Sequence, residues 1–281
     1  MTFAPRTTLL PAIASAVALL LIWVGTYRID FLSWLDRGVQ SGFLGLHDTA
    51  VGTLADRLVR LADPVPFALM SLALISVALL RHRPRIALMV AAILGGANVT
   101  TQVLKHLTEG PRAYDVASWS GGLGAELWPS GHTTAAMTLA LSLVLVAPRR
   151  WRPAASAIGG SFAVAVVYSL MVLGHHLPSD SAGAFFVATS WTFAVLTLAR
   201  IVERSWPAAV PREPPLRPAV VLWPVLAMSA LGATVVLVVA VTRFDRTLAF
   251  AIEHSAFVLG APLLGALALA LACGVALTLR R

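Results

Sequence analysis

The sequence predicts an all-α, polytopic membrane helix bundle, and three observations point there. Of its 281 residues 58% are hydrophobic and 12% are charged, about half the charged share of an ordinary soluble domain, and the mean hydropathy is +0.82. Apolar runs near the length that crosses about 30 Å of hydrocarbon recur at 9–26, 65–80, 86–104, 131–147, 155–174, 182–201, 219–241 and 255–279. Lysine and arginine gather in alternate connections between those runs. Eight spans are therefore expected, a six-span unit followed by two more.

The first run is expected to be a retained span, because its apolar stretch is long and no small-residue cleavage site follows Trp23-Val24-Gly25. Residues 31–63 are too charged to cross. Leu54, Leu58 and Leu61 fall on one helical face, which suits a helix lying along the interface, with Phe31, Trp34 and Phe43 as anchors at headgroup depth. This segment reads as an interfacial collar, with a substrate lid as the other reading. The connection from Lys105 to Trp128 is the most polar, and Gly121-Gly122-Leu123-Gly124 makes part of it flexible. Residues 204–218 form a proline-rich linker, and 219–281 supply the two additional spans. Arg243-Phe244-Asp245 after span seven echoes Arg28-Ile29-Asp30 after span one.

Charge sets the orientation. With the N-terminus inside, the inner connections carry 13 basic residues against two acids, net +11, and the outer ones eight basic against eleven acids, net −3. Positive charge stays on the cytoplasmic side, so both termini are expected in the cytoplasm, in a plasma (inner) membrane. The formal charge of +8 is thus a topology signal, and no interleaved aromatic and basic surface suggests nucleic acid. The single cysteine, Cys273, lies within the last span, where it reads as core.

The chemistry gathers at two helix starts. Pro129-Ser130-Gly131-His132 and His176-Leu177-Pro178-Ser179-Asp180 each place Pro-Ser ahead of an apolar run, a helix start signal. A helix start turns unpaired N–H groups and the positive end of its dipole toward an anion. Each also brings a histidine, and Asp180 adds a carboxylate. Lys105, the only lysine in the chain, stands where the third span meets the outer surface, with Arg112 beyond it. Alone it would be a snorkelling helix-end lysine; beside two histidines on the same face it is a candidate phosphate ligand.

These residues resemble the signatures of the type 2 phosphatidic acid phosphatase superfamily, K-x6-R-P, P-S-G-H and S-R-x5-H-x3-D, which it shares with vanadium haloperoxidases. The first stands here as Lys105-x6-Arg112 followed by Ala113 in place of proline, the second is complete, and the third is Ser169-Leu170-x5-His176-x3-Asp180, with leucine in place of arginine. The resemblance covers about residues 1–203, including the collar, and leaves the last two spans outside it. A soluble haloperoxidase does not fit eight apolar spans.

The resemblance implies an integral membrane lipid phosphatase acting at the outer leaflet on a lipid mono- or diphosphate: a polyprenyl diphosphate, phosphatidic acid or phosphatidylglycerol phosphate. His176 would be the nucleophile that forms a phosphohistidine, Asp180 would hold its other ring nitrogen, and His132 would act as acid and then base. Lys105, Arg112, Ser130 and Gly131 would bind phosphate oxygens. Ser169 either joins them or bonds its own helix. No metal and no cofactor are implied; the partners are the lipid phosphate and membrane lipids. Leu170 removes an expected guanidinium contact, which leaves three readings: Arg243 or Arg246 replaces it, the substrate needs less charge neutralisation, or catalysis is weak. A lipid-linked phosphotransferase and a lipid-phosphate-binding protein are the alternatives in function. The lipid's identity and the oligomeric state are not legible in the sequence.

Overall fold

The computed structural model describes residues 6–108, 128–205 and 217–279. Among them the chain forms eleven α-helices and no strand: α1 (Arg6–Arg28), α2 (Asp30–Leu44), α3 (Ala50–Val59), α4 (Pro64–Leu80), α5 (Pro84–Leu107), α6 (Gly131–Val146), α7 (Arg152–Val172), α8 (Pro178–Ser205), α9 (Pro218–Thr242), α10 (Phe244–Glu253) and α11 (Ser255–Thr278). The fold is the expected all-α polytopic bundle. All eight apolar runs become helices, but α1, α5, α7, α8, α9 and α11 alone are long and apolar enough to cross a membrane. The count rises to seven if α3 and α4, bent by 54° at Asp63, make one broken span.

The correction to eight has a physical reason in α6. Its 16 residues extend roughly 24 Å at 1.5 Å per residue, short of the hydrocarbon thickness. Yet α6 is buried nearly from end to end and packs against α4, α5, α7, α8 and α11, so its length need not match the lipid. Gly159 of α7 lets it approach closely: a Cβ there would lie 2.9 Å from Ala140 Cα. Around this axis α1 lies along α8, α9 lies on α7 with most of its surface outward, and α11 fits between α7 and α2. The fit of α11 depends on small residues, since a Cβ on Gly42 would meet Phe257 at 2.3 Å and one on Gly260 would meet Val39 at 2.3 Å.

Residues 31–63 form α2, α3 and a 3-10 turn, Arg60–Ala62. In α3 the face toward α7 is Gly52, Ala55 and Val59, while Leu54 and Leu61 point outward. Phe31 and Trp34 are exposed and stacked, as interfacial anchors would be. Phe43 is not an anchor. It is buried against Tyr168 and Phe257, because α2 lays that face on α7 and α11. The echo between Arg28-Ile29-Asp30 and Arg243-Phe244-Asp245 marks two equivalent breaks, each from a long apolar helix into an amphipathic one.

Candidate active site

His176 is delivered by the way α7 ends. Gly174 takes φ +72°, a conformation that costs an L side chain roughly 1–2 kcal/mol. Its N–H donates to the Met171 carbonyl while the His175 N–H reaches back to Leu170 at 2.9 Å, the paired closure of a Schellman cap. Two carbonyls of this last turn, Met171 again and Val172, are also met from outside the helix. Gln40 Nε2 of α2 donates to Met171 at 2.7 Å, and His47 Nδ1 lies 3.0 Å from the Val172 carbonyl. The end of α7 is thereby clamped with all its last carbonyls satisfied, and the chain leaves it through His175 and His176.

Two residues on, α8 begins at Pro178. Asp180 stands in its first turn, fully buried, and Oδ2 accepts from the Leu177 N–H at 2.9 Å and faces His176 Nδ1 at 3.3 Å. A buried carboxylate needs donors to offset lost solvation, and these two meet Oδ2 while orienting the imidazole. His176 is buried to 7% exposure, and with Nδ1 held by Asp180 its free nitrogen is Nε2.

The second helix start faces the first. Ser130 caps α6, its Oγ accepting from the Thr133 N–H at 3.3 Å, and its own N–H donates to the Asp180 carbonyl at 3.1 Å. Thr133 and Ser181 hydroxyls meet at 3.1 Å one turn deeper. Because Ser130 serves Thr133, the N–H groups of Gly131 and His132 at the positive end of α6 have no partner among the described residues. Lys105, in the last turn of α5, comes alongside: its Nζ lies 3.8 Å from where a Cβ on Gly131 would stand, with Gln102 Nε2 at 3.7 Å. The Thr108 hydroxyl, which donates to the Leu104 carbonyl of its own helix at 2.7 Å, lies 3.1 Å from the Trp128 carbonyl just ahead of α6.

The structure thus brings together Lys105, Ser130, Gly131, His132, His176 and Asp180. Ser169 does not join them in the same way: its hydroxyl donates to the Ala165 carbonyl of its own helix at 2.7 Å, so its one proton is spent there. Arg112 lies outside the described residues. Leu170 is fully buried in the hydrophobic core. Arg243 and Arg246 line an open pocket of about 380 Å3 made only by Thr242, Phe244, Asp245 and themselves, so no residue of α5 to α8 borders it.

Two site residues were missed in the sequence. Asp63, in the break between α3 and α4, brings Oδ1 to 3.0 Å from His132 Nε2. Asp36 of α2 accepts from the N–H and hydroxyl of Ser179, so the start of α8, expected to be open to an anion, already holds a carboxylate. Neither had a local signal, since both lie in the interfacial segment far from either histidine in the chain. The loss of solvent around its ring, then the neighbouring His176 and His132, hold the His175 imidazole below its ordinary value; Asp56 opposes them and His47 adds to them.

No curated protein and no solved structure matches the chain. Residues 86–204 match the family model described as PAP2 superfamily; this is less than half of the chain, but it runs from the start of α5 to the end of α8 and holds both histidines, Asp180 and Lys105. Over these residues the chain is similar to the PAP2 superfamily, that of the type 2 phosphatidic acid phosphatases.

Proposed function

We propose that this membrane phosphatase-family protein removes phosphate from a lipid mono- or diphosphate at the outer leaflet, without a metal, through a phosphohistidine on His176. The observation that carries the reading is the Asp180–His176 pair set against the start of α6. Asp180 holds Nδ1, so the lone pair for attack is on Nε2, and the unpaired N–H groups of Gly131 and His132 offer donors to the phosphoryl oxygens beside it. Lys105 adds a positive charge at the same place. Arg112 is assigned to the same cradle by its place in the first signature.

In the first step Nε2 bonds to phosphorus as the bond to the lipid oxygen breaks, and His132 protonates the departing oxygen. In the second, His132 takes a proton from water, the water oxygen attacks phosphorus, and the phosphorus–nitrogen bond breaks to release inorganic phosphate and restore His176. A polyprenyl diphosphate would leave as the lipid monophosphate, and phosphatidic acid or phosphatidylglycerol phosphate as the alcohol. A site at helix ends suits a lipid whose tail stays among the hydrocarbon. The charge asymmetry between connections supports cytoplasmic termini and an extracytoplasmic site.

The test is phosphate release from a panel of lipid phosphates by purified protein with a chelator present. His176→Ala should abolish it, and retained turnover in that variant would remove His176 as nucleophile. A second reading, a weakly active lipid-phosphate binder, is favoured by the burial of Leu170 where the family signature has arginine. Vanadate binding without turnover of any panel member would select it. Phosphoryl transfer to an acceptor lipid instead of water would be seen as a phosphorylated lipid product in place of inorganic phosphate.

A further inference from the structure

Asp63 stands at the cap position of α4 but makes no capping bond to that helix. The local sequence explains why. A cap side chain accepts from the second or third N–H of its helix, and Asp63-Pro64-Val65-Pro66 puts prolines at the first and third positions, which leaves Val65 as the single donor among the three. The carboxylate turns instead to His132, with Oδ1 3.0 Å from Nε2. Both side chains keep contact with water, at 37% and 47% exposure. Nδ1 of His132 has no partner among the described residues.

We propose that Asp63 is a positioning residue for His132, the counterpart of Asp180 for His176; the assignment rests on the phosphatase reading above. The two carboxylates hold opposite nitrogens, Asp180 on Nδ1 of the nucleophile and Asp63 on Nε2 of the acid. With Nε2–H donated to Asp63, the nitrogen of His132 left to exchange a proton with substrate is Nδ1. That nitrogen gives its proton to the lipid oxygen as the oxygen–phosphorus bond breaks, then accepts one from the attacking water, while Nε2 keeps its own proton throughout. The charge formed on His132 in the second half faces Asp63 on one side, His175 is near enough to interact with it, and Lys105 stands beside the preceding residue, Gly131. Asp63 lies outside residues 86–204, so this role is supplied by the interfacial segment.

A surface ion pair of this exposure contributes little to stability, so a purely structural Asp63 predicts near-normal kinetics. The test measures kcat/KM of Asp63→Asn with an alkyl lipid phosphate and with 4-nitrophenyl phosphate, whose leaving group needs little protonation. The expected result is a loss of about 10- to 100-fold on the lipid, within the range general acid catalysis contributes, and a loss under about threefold on the aryl ester. Asp63→Glu should recover most of the lipid activity, and Asp63→Asn should add nothing to His132→Ala. Equal loss on both substrates, no loss on either, or additivity with His132→Ala would overturn the assignment. Wild-type protein and His176→Ala run alongside: an inactive wild type or an active His176→Ala overturns the phosphatase reading itself, and this assignment falls with it.

Discussion

The backbone N–H of Ser130 donates to the backbone carbonyl of Asp180 across 3.1 Å. That one bond joins two helix starts 50 residues apart in the chain, and so brings the unpaired N–H groups of α6 beside the carboxylate that holds His176. The arrangement puts Asp180, His176 and the start of α6 on one small piece of backbone. It also makes the site sensitive to small displacements of either helix.

Replacing Asp180 by asparagine keeps the size of the side chain but offers His176 Nδ1 a group that no longer favours the reactive tautomer. Phosphate release is expected to fall by about 10^3- to 10^4-fold, as when the equivalent carboxylate of a Ser-His-Asp triad is neutralised. The variant should keep its helical circular dichroism. A rate within tenfold of wild type would mean that Asp180 serves the turn at Leu177 and not the histidine.

Gly174 carries the left-handed conformation that ends α7. Gly174→Ala should lower stability by about 1 kcal/mol, and Gly174→Asn by less, since asparagine tolerates this geometry. Unfolding midpoints in detergent rank the two. Activity should follow the same order, because the cap aims His175 and His176 out of the helix; an order reversed in either measurement contradicts this account of the cap.

Gly183 of α8 lies under the Trp128 indole, and a Cβ there would meet the ring at 2.8–2.9 Å. Gly183→Ala must therefore push Trp128, and with it Pro129 and Ser130, at an expected cost of about 1–3 kcal/mol for overpacking. Trp128→Leu on the same chain opens room for the new methyl. The double variant should be more stable than the two single losses predict, and strict additivity would show that the contact does not transmit strain.

His175 titrates below its ordinary value in the folded protein. The unfolded chain then binds a proton first as the pH falls through about 6.5, so the stability due to a neutral His175 is complete above that pH and is lost below it. Unfolding midpoints measured at pH 7.5 and pH 5.5 should differ less in His175→Asn than in wild type. An unchanged difference would assign the acid sensitivity to another group.

Legibility in the sequence followed the range of the interactions. Pro-Ser at a helix start and the spacing of His176 to Asp180 are local, set by backbone sterics and dipoles within a few residues, and each helix start lies where it was expected. Phe43 was misread because its headgroup-depth reading used only its own segment. Its burial depends on Tyr168 of α7 and Phe257 of α11, which no local pattern reveals. Ser169 illustrates the opposite case: its bond to Ala165 was one of the two readings open in the sequence, and helix geometry selected it.

What the sequence by itself determined is the solvent and the helix starts: apolar runs long enough for a bilayer, and histidines placed beside the N-termini of two helices. Tertiary structure alone decided which helix start stays open to an anion and which nitrogen of each histidine is free. Asp36 closes the start of α8, leaving that of α6, and Asp63 and Asp180 take opposite ring nitrogens of His132 and His176. Hydrogen bonds act over about 3 Å and carry no memory of sequence distance, so a carboxylate 69 residues from its histidine becomes its neighbour only once the bundle has packed.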